Sequence, residues 1–180
     1  MNGRKKRVID GAKSILLTRG FDVTSEVENE EYTDILGKDS GGKTIIVRIP
    51  SKEVVGVSEL REYREEIEEK GYDNALFLAL NKYTHYAKKE AKAAGIETFS
   101  IKFPFFNLFK HYLVPVHEFA TESEVKELEE KYSIFKYQLP KISAEDPAVQ
   151  FLGAKIGDVL KIKRESPTAG EFHVYRTVVP

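Results

Sequence analysis

Asn74-Ala75-Leu76-Phe77-Leu78-Ala79-Leu80 is a continuous apolar run of strand length, and a strand that lacks polar alternation is one buried on both faces. Its flanks carry helical signals. Upstream, Ser58 is a candidate cap for a helix running to Lys70, where Gly71 ends it, and Glu65, Glu66, Glu68 and Glu69 read as a solvated face. Downstream, Tyr83 to Ala94 reads as a second helix closing on Gly95, and Ile96 to Ile101 as a further strand. The order strand, helix, strand, helix, strand implies a sheet covered by helices through right-handed crossovers.

Moving toward the N-terminus, Phe21 to Val27, Tyr32 to Gly37 and Thr44 to Ile49 read as a small meander. Asp39-Ser40-Gly41-Gly42 supplies the turn between the last two. Arg4 to Arg19 places Val8, Ile9, Ala12, Ile15 and Leu16 at helical spacing, and Gly20 follows as a stop. Beyond the apolar run, Phe103-Pro104-Phe105-Phe106-Asn107-Leu108-Phe109 is an aromatic knot that reads as a buried connector. The boundary falls within it, giving units 1–104 and 105–180. In the second unit Thr121-Glu122-Ser123-Glu124 is a capping box opening a helix to Lys131, and Asp146-Pro147 is an N-cap followed by proline at the first helical position. Asp158 to Arg164 and Phe172 to Val179 form a closing β-hairpin around Ser166-Pro167-Thr168-Ala169-Gly170. The expected class is therefore α+β in two domains: an N-terminal α/β domain and a small C-terminal α+β domain ending in a hairpin.

With 180 residues, 41% hydrophobic and 32% charged, and a mean hydropathy of -0.39, the chain has a globular composition. Zero cysteines exclude a disulfide framework, a thiolate nucleophile and cysteine-ligated metal. No stretch approaches the ~20 apolar residues of a membrane span, and the basic start has no apolar signal core, so the expectation is an intracellular chain with no membrane partner. Lys plus Arg number 28 against 29 Asp plus Glu, so any nucleic-acid contact must be local. Arg4, Lys5, Lys6 and Arg7 are the DNA-proximal candidates, set where cations oppose the helix macrodipole; a solvated chain terminus is the competing reading. The four histidines, His85, His111, His117 and His173, lack the spacing of a zinc motif, and no cofactor, metal or small-molecule substrate is expected. Gly41-Gly42-Lys43-Thr44 lacks the first glycine of a phosphate loop and is better read as a turn.

Several stretches occur in an order that resembles the H subunit of archaeal RNA polymerase. They are Leu113-Val114-Pro115-Val116-His117-Glu118, Gln138-Leu139-Pro140-Lys141-Ile142, Asp146-Pro147-Ala148-Val149 and Leu152 to Ile162, followed by Arg164 to Glu171 and Tyr175-Arg176. The resemblance covers Tyr112 to Pro180 and carries over Pro115, His117, Pro140, Gly153, Gly157, Ser166, Gly170, Tyr175 and Arg176. It implies a non-catalytic assembly subunit. Its docking partners would be the C-terminal part of the largest polymerase subunit and the small subunit K. The compartment would be the archaeal cytoplasm, or the nucleus in a eukaryote. Ile15 to Val23 is similar to the start of the jaw domain that precedes this unit in the eukaryotic counterpart, the fifth subunit shared by the nuclear polymerases. That jaw has a restriction-endonuclease-like fold and lies near downstream DNA, which it would contact weakly. Lys163, Arg164 and Arg176 are candidates for contacts to an acidic partner surface, with Ser166, Gly170, Tyr175 and His117 as further partner-binding candidates, and the hairpin would offer a free strand edge.

A nuclease of that fold needs a strand carboxylate and then, on the next strand, an acid or amide two residues before a lysine, to hold divalent metal and polarise water. Asp34 fits the first role, but Arg48 stands where the acid belongs and Pro50 where the lysine belongs. No catalytic residue is assigned, Asp34 is expected as a turn or surface acid, and the fold is expected to be inactive. Val55-Gly56-Val57-Ser58 also resembles Mrr-type restriction nucleases, so two alternatives to the subunit stay open: an Mrr-like metal-dependent nuclease and a polymerase-binding regulator that copies the docking surface.

Overall fold

The computed structural model describes residues 3–99, 103–166, 168 and 170–180, which divide into two compact units, Met1–Phe106 and Asn107–Pro180. In the first, α1 (Gly3–Thr18) leads into the antiparallel meander β1 (Phe21–Glu28), β2 (Tyr32–Asp39) and β3 (Thr44–Pro50). There follow β4 (Val54–Val55), α2 (Val57–Lys70), β5 (Asn74–Phe77), β6 (Lys82–Tyr83), α3 (His85–Ala93) and β7 (Glu97–Thr98). The sheet order is β1-β2-β3-β5-β7, with β3, β5 and β7 parallel.

The apolar run sits where its composition requires, between two parallel neighbours, with Ala75 to Ala79 all buried. Ala75, Phe77 and Ala79 join Ile46, Leu60, Tyr63, Ala87 and Ala91 in a core beneath α2 and α3. Because strand side chains alternate, Ile45, Val47 and Ile49 face the other way, where α1 buries Val8, Ile9, Ala12, Ile15 and Leu16. The connector presses on that helix: a Cβ at Gly11 would lie 2.8 Å from Phe105 Cβ and 2.9 Å from its Cα.

Several boundaries differ from expectation. The helix beginning at Ser58 is capped instead at Gly56, whose N–H donates to Glu59 (3.2 Å), while Lys52 pairs with the same carboxylate at 3.0 Å. Tyr83 is not helical. It lies in β6, which pairs in parallel with β4, and its buried hydroxyl donates to the carbonyl of Phe77 and accepts from Ala79 N–H (2.8 Å); Thr84 then caps α3 by accepting from Ala87 N–H at 3.2 Å. The run ends its ladder at Phe77, although Leu78 N–H still reaches the Arg48 carbonyl at 2.9 Å. The strand expected over Ile96 to Ile101 is the short β7, and Ser100 and Ile101 lie outside the described residues.

The second unit contains β8 (Val116–Phe119), α4 (Glu122–Tyr132), β9 (Lys141–Ser143), α5 (Pro147–Leu152), β10 (Val159–Ser166) and β11 (Gly170–Val179). Both expected caps form: Thr121 and Glu124 close a capping box, and the Asp146 carboxylate accepts from Ala148 N–H at 2.8 Å ahead of Pro147. The hairpin β10–β11 is in the middle of a sheet ordered β8-β10-β11-β9, so the expectation of a free hairpin edge needs correction. Only the distal ends of its two strands extend beyond the flanking β8 and β9. One face carries Leu160, Val178 and Ile142 against Val149 and Leu152 of α5. On the other, Lys161 reaches Glu124 of α4 at 2.7 Å. Gly170, at φ +67, takes the left-handed conformation that opens β11 after the turn; Pro167 and Ala169 of that turn lie outside the described residues.

Candidate functional site

The seven partner-binding candidates do not share one face. Pairing across the hairpin sets Lys163 opposite His173, Arg164 opposite Phe172 and Lys161 opposite Tyr175. By alternation Arg164, Phe172, Arg176 and His117 belong to the α5 face, and Lys163 and Tyr175 to the α4 face. Lys163 is engaged by Glu171 at 2.8 Å, whose hydrogen bond and charge hold its ammonium above the ordinary value. Arg176 donates to the Lys141 carbonyl at 2.9 Å, tying β11 to β9. Arg164 is exposed and forms no ion pair among the described residues. Ser166 ends β10 opposite Gly170, its hydroxyl 3.2 Å from that of Thr168. Tyr175 is half-buried, and burial raises its phenol.

His117 serves the interior. It is 8% exposed, its Nδ1–H donates to the Pro115 carbonyl at 2.8 Å, and its ring lies 5.8 Å from Phe109. Burial pulls its imidazolium below the ordinary value, against the opposing hydrogen bond to Pro115. It ties the start of β8 to the loop before it. That loop and the distal hairpin enclose a groove of ≈ 760 Å³, with Tyr112, Leu113 and Pro115 on one wall and Arg164, Ser166 and Phe172 on the other.

The most prominent surface feature of this unit went unread in the sequence. Tyr112 is 88% exposed, Leu113 69%, Phe135 63% and Tyr137 70%, and the rings of Phe135 and Tyr137 stack at 5.5 Å. Exposed apolar side chains of this size are uncommon on the surface of a free monomer. The available signal was the run Tyr132 to Tyr137, rich in aromatics yet adjoining a highly charged helix.

The basic cluster of the first unit is also divided. Lys5 turns back to Glu28 at 2.8 Å, whereas Arg4 and Arg7 line a cleft of ≈ 570 Å³ with Val8, Leu80 and Phe105. Lys6 is exposed.

The nuclease position departs most from expectation. Asp34 is 8% exposed and is neither a turn nor a surface acid. The β2–β3 register sets it directly opposite Arg48, whose Nε and Nη2 donate to its two oxygens at 2.8 and 2.5 Å. Nη2 also donates to Glu66 of α2 at 2.6 Å, and the guanidinium carbon lies 3.9 Å from the ring centre of Tyr32 and 4.7 Å from that of Tyr63. Burial disfavours the guanidinium charge, but the hydrogen bonds and charges of Asp34 and Glu66 outweigh it and hold Arg48 above its ordinary value. For Glu66 burial acts upward, and Lys70 and Arg48 prevail to hold its carboxyl low. Glu66 is therefore not part of the solvated stripe assigned to it from sequence. These residues do not fit a divalent metal, since both oxygens of the one strand carboxylate are committed to a guanidinium and Pro50 ends β3 where a lysine belongs.

Comparison with known proteins agrees with the two-unit division of labour. Residues 106–178 match the family model of the RNA polymerase Rpb5 C-terminal domain, and residues 8–102 match that of a restriction endonuclease family. The subunit Rpo5 of DNA-directed RNA polymerase from Pyrococcus abyssi is 60% identical over 74 residues, which is 41% of this chain and 90% of that protein. The same subunit from Thermococcus kodakarensis is 58% identical over 74 residues and that from Methanosarcina mazei 50%, with 41% of this chain covered each time and 90% and 95% of the relative. Among solved structures, the apo form of EndoMS aligns at a TM-score of 0.36 and 21% identity over 44% of this chain and 37% of its own. Identity at this level across nearly the whole of a relative decides the matter: the chain belongs to the Rpo5 family of DNA-directed RNA polymerase subunits, joined to an N-terminal domain of the restriction endonuclease family.

Proposed function

We propose that the chain is a non-catalytic subunit of a DNA-directed RNA polymerase, assembled through its C-terminal unit and extended by a jaw-like N-terminal unit. The observation that carries this is the 60% identity to an Rpo5 spanning 90% of that subunit. The physics supports it: a small unit that exposes Tyr112, Leu113, Phe135 and Tyr137 has surface to cover, and Arg164 adds beside the groove a cation with no ion pair among the described residues. The partners in this reading are the C-terminal part of the largest subunit and the small subunit K. Downstream DNA would be touched only lightly, by Arg4, Lys6 and Arg7, because the N-terminal unit is otherwise near neutral. The setting is the cytoplasm of an archaeal cell. No reaction is assigned to the nuclease-like unit, whose strand acid is neutralised by Arg48.

The test is affinity purification of the tagged full-length chain from its native cells, with mass spectrometry of partners and a nonspecific transcription assay. Near-equal recovery of all polymerase subunits with activity is the expected result. Recovery of the chain alone overturns the reading, and a substoichiometric, inhibited polymerase replaces the subunit with a regulator.

A further inference from the structure

Two carboxylates from different elements, Asp34 of β2 and Glu66 of α2, converge on a single atom. Nη2 of Arg48 lies 2.5 Å from Oδ2 of Asp34 and 2.6 Å from Oε2 of Glu66. Carboxylate oxygens surround a calcium ion at ~2.3–2.6 Å, so this nitrogen stands where an ion bridging the two acids would stand. We propose that the Arg48 guanidinium is the resident cation of this site, that it excludes divalent metal from the Asp34–Glu66 pair, and that truncating it exposes a latent divalent-cation site.

Charge balance explains the exclusion. The two carboxylates are matched by two cations, Arg48 and Lys70, the latter paired with Glu66 at 2.5 Å, which leaves no net charge to draw in a divalent ion. Space explains it too, because the guanidinium fills the volume beside Tyr32 and Tyr63, and its side chain is only 9% exposed. Once the guanidinium is gone, two acids face one emptied volume, and either protonation or a cation must relieve their repulsion. Glu66, at 21% side-chain exposure, leaves a path from solvent. This inference does not depend on the polymerase reading, since it concerns only the chemistry inside the N-terminal unit.

The test compares the full-length wild type, Arg48→Ala and the triple variant Arg48→Ala/Asp34→Asn/Glu66→Gln, melted in EDTA and in millimolar calcium chloride. Manganese binding is counted by electron paramagnetic resonance. Wild type should melt at the same temperature in both conditions and bind no manganese at this site. Arg48→Ala should melt lower by roughly 10 °C or more in EDTA, recover at least half of that loss in calcium, and bind one manganese ion. The triple variant should ignore metal. If Arg48→Ala is unfolded in EDTA, its refolding on calcium addition, followed by circular dichroism, is the same readout. Arg48→Lys, which keeps a cation, must remain indifferent to metal. The proposal is overturned by metal-indifferent melting of Arg48→Ala, by an equal metal response in the triple variant or in Arg48→Lys, or by manganese bound at this site in the wild type.

Discussion

Phe151→Ala should strongly destabilise the C-terminal unit while leaving every exposed side chain chemically intact. Phe151 is 0% exposed and meets Phe109 edge-on at 5.5 Å, and Phe109 in turn lies against His117. It sits on α5, which at six residues is far too short to be helical on its own and is held by what it buries, chiefly Val149 and Phe151. Truncating a buried phenylalanine to alanine costs about 3–5 kcal/mol, counting the lost transfer energy and the cavity left behind. At ~0.05–0.15 kcal/mol per residue a unit spanning Asn107–Pro180 holds only roughly 4–11 kcal/mol in total, so the substitution removes between about a quarter and all of it. Phe151→Leu, which refills most of the volume, should lose only ~1–1.5 kcal/mol. The assay is urea unfolding of the full chain with amide exchange read on β10 and β11, alongside recovery of polymerase on the tagged variant. Loss of exchange protection in those strands together with loss of polymerase is expected. A Phe151→Ala chain destabilised by less than ~1 kcal/mol would refute the claim that α5 is the clamp of this unit.

Four further outcomes follow from the same geometry. Asp146→Ala removes the carboxylate that accepts from Ala148 N–H and should lower stability by about 1 kcal/mol in denaturant melts. Burial depresses the pKa of His117, so the unfolded chain binds its proton more readily than the folded one. The stability this group contributes is present above its ordinary value of 6.5 and is lost progressively as pH falls from there through its lowered folded-state value, and His117→Gln should flatten that dependence when melting is followed from pH 8 to 5. Arg164→Ala should weaken polymerase recovery at moderate salt without shifting the melting temperature, because it breaks no internal ion pair among the described residues, whereas Arg176→Ala should lower both by freeing β9. Replacing Arg4 and Arg7 together with alanine should reduce the salt dependence of DNA binding by the assembled polymerase by at most about two phosphate contacts; an unchanged slope removes these residues from the DNA.

What the sequence made legible was local. The apolar run at residues 74–80, the capping box at Thr121 and the Asp146-Pro147 start each depend on neighbours a few positions away; both caps formed, and the run formed a buried strand over Asn74–Phe77. What escaped was set by pairing over distance. Asp34 reads as a surface acid when taken alone, because its partner lies 14 residues along the chain on the facing hairpin strand. Only the β2–β3 register places Arg48 opposite, and only the packing of α2 adds Glu66 to the same guanidinium. Period counting likewise assigned Glu66 to water together with its three neighbouring glutamates. The free hairpin edge failed for a related reason: β8 and β9, at four and three residues, are too short to give a periodic signal, yet they flank both hairpin strands. In the second unit, charge on the hairpin points to Arg164, whereas Phe135 and Tyr137 escape a sequence reading because aromatic residues are expected inside.

The two units depart from the usual distribution of charge and apolar surface in opposite senses. The first places a guanidinium and a carboxylate in its interior, at 7% and 8% exposure for Arg48 and Asp34, and the second places aromatic rings in water. A buried ion pair adds little net stability over an apolar substitute, yet removing one partner is expensive, so Arg48 and Asp34 are kept together by what each would suffer alone. That arrangement keeps the sheet of a domain matching the restriction endonuclease family while committing its strand acid to a guanidinium. Exposed rings on a small unit, by contrast, are a liability to a free-standing protein and an asset to one that is covered on assembly. In the proposed assembly, the same chain that neutralises Asp34 with Arg48 would have its exposed Tyr112 and Tyr137 covered by another subunit.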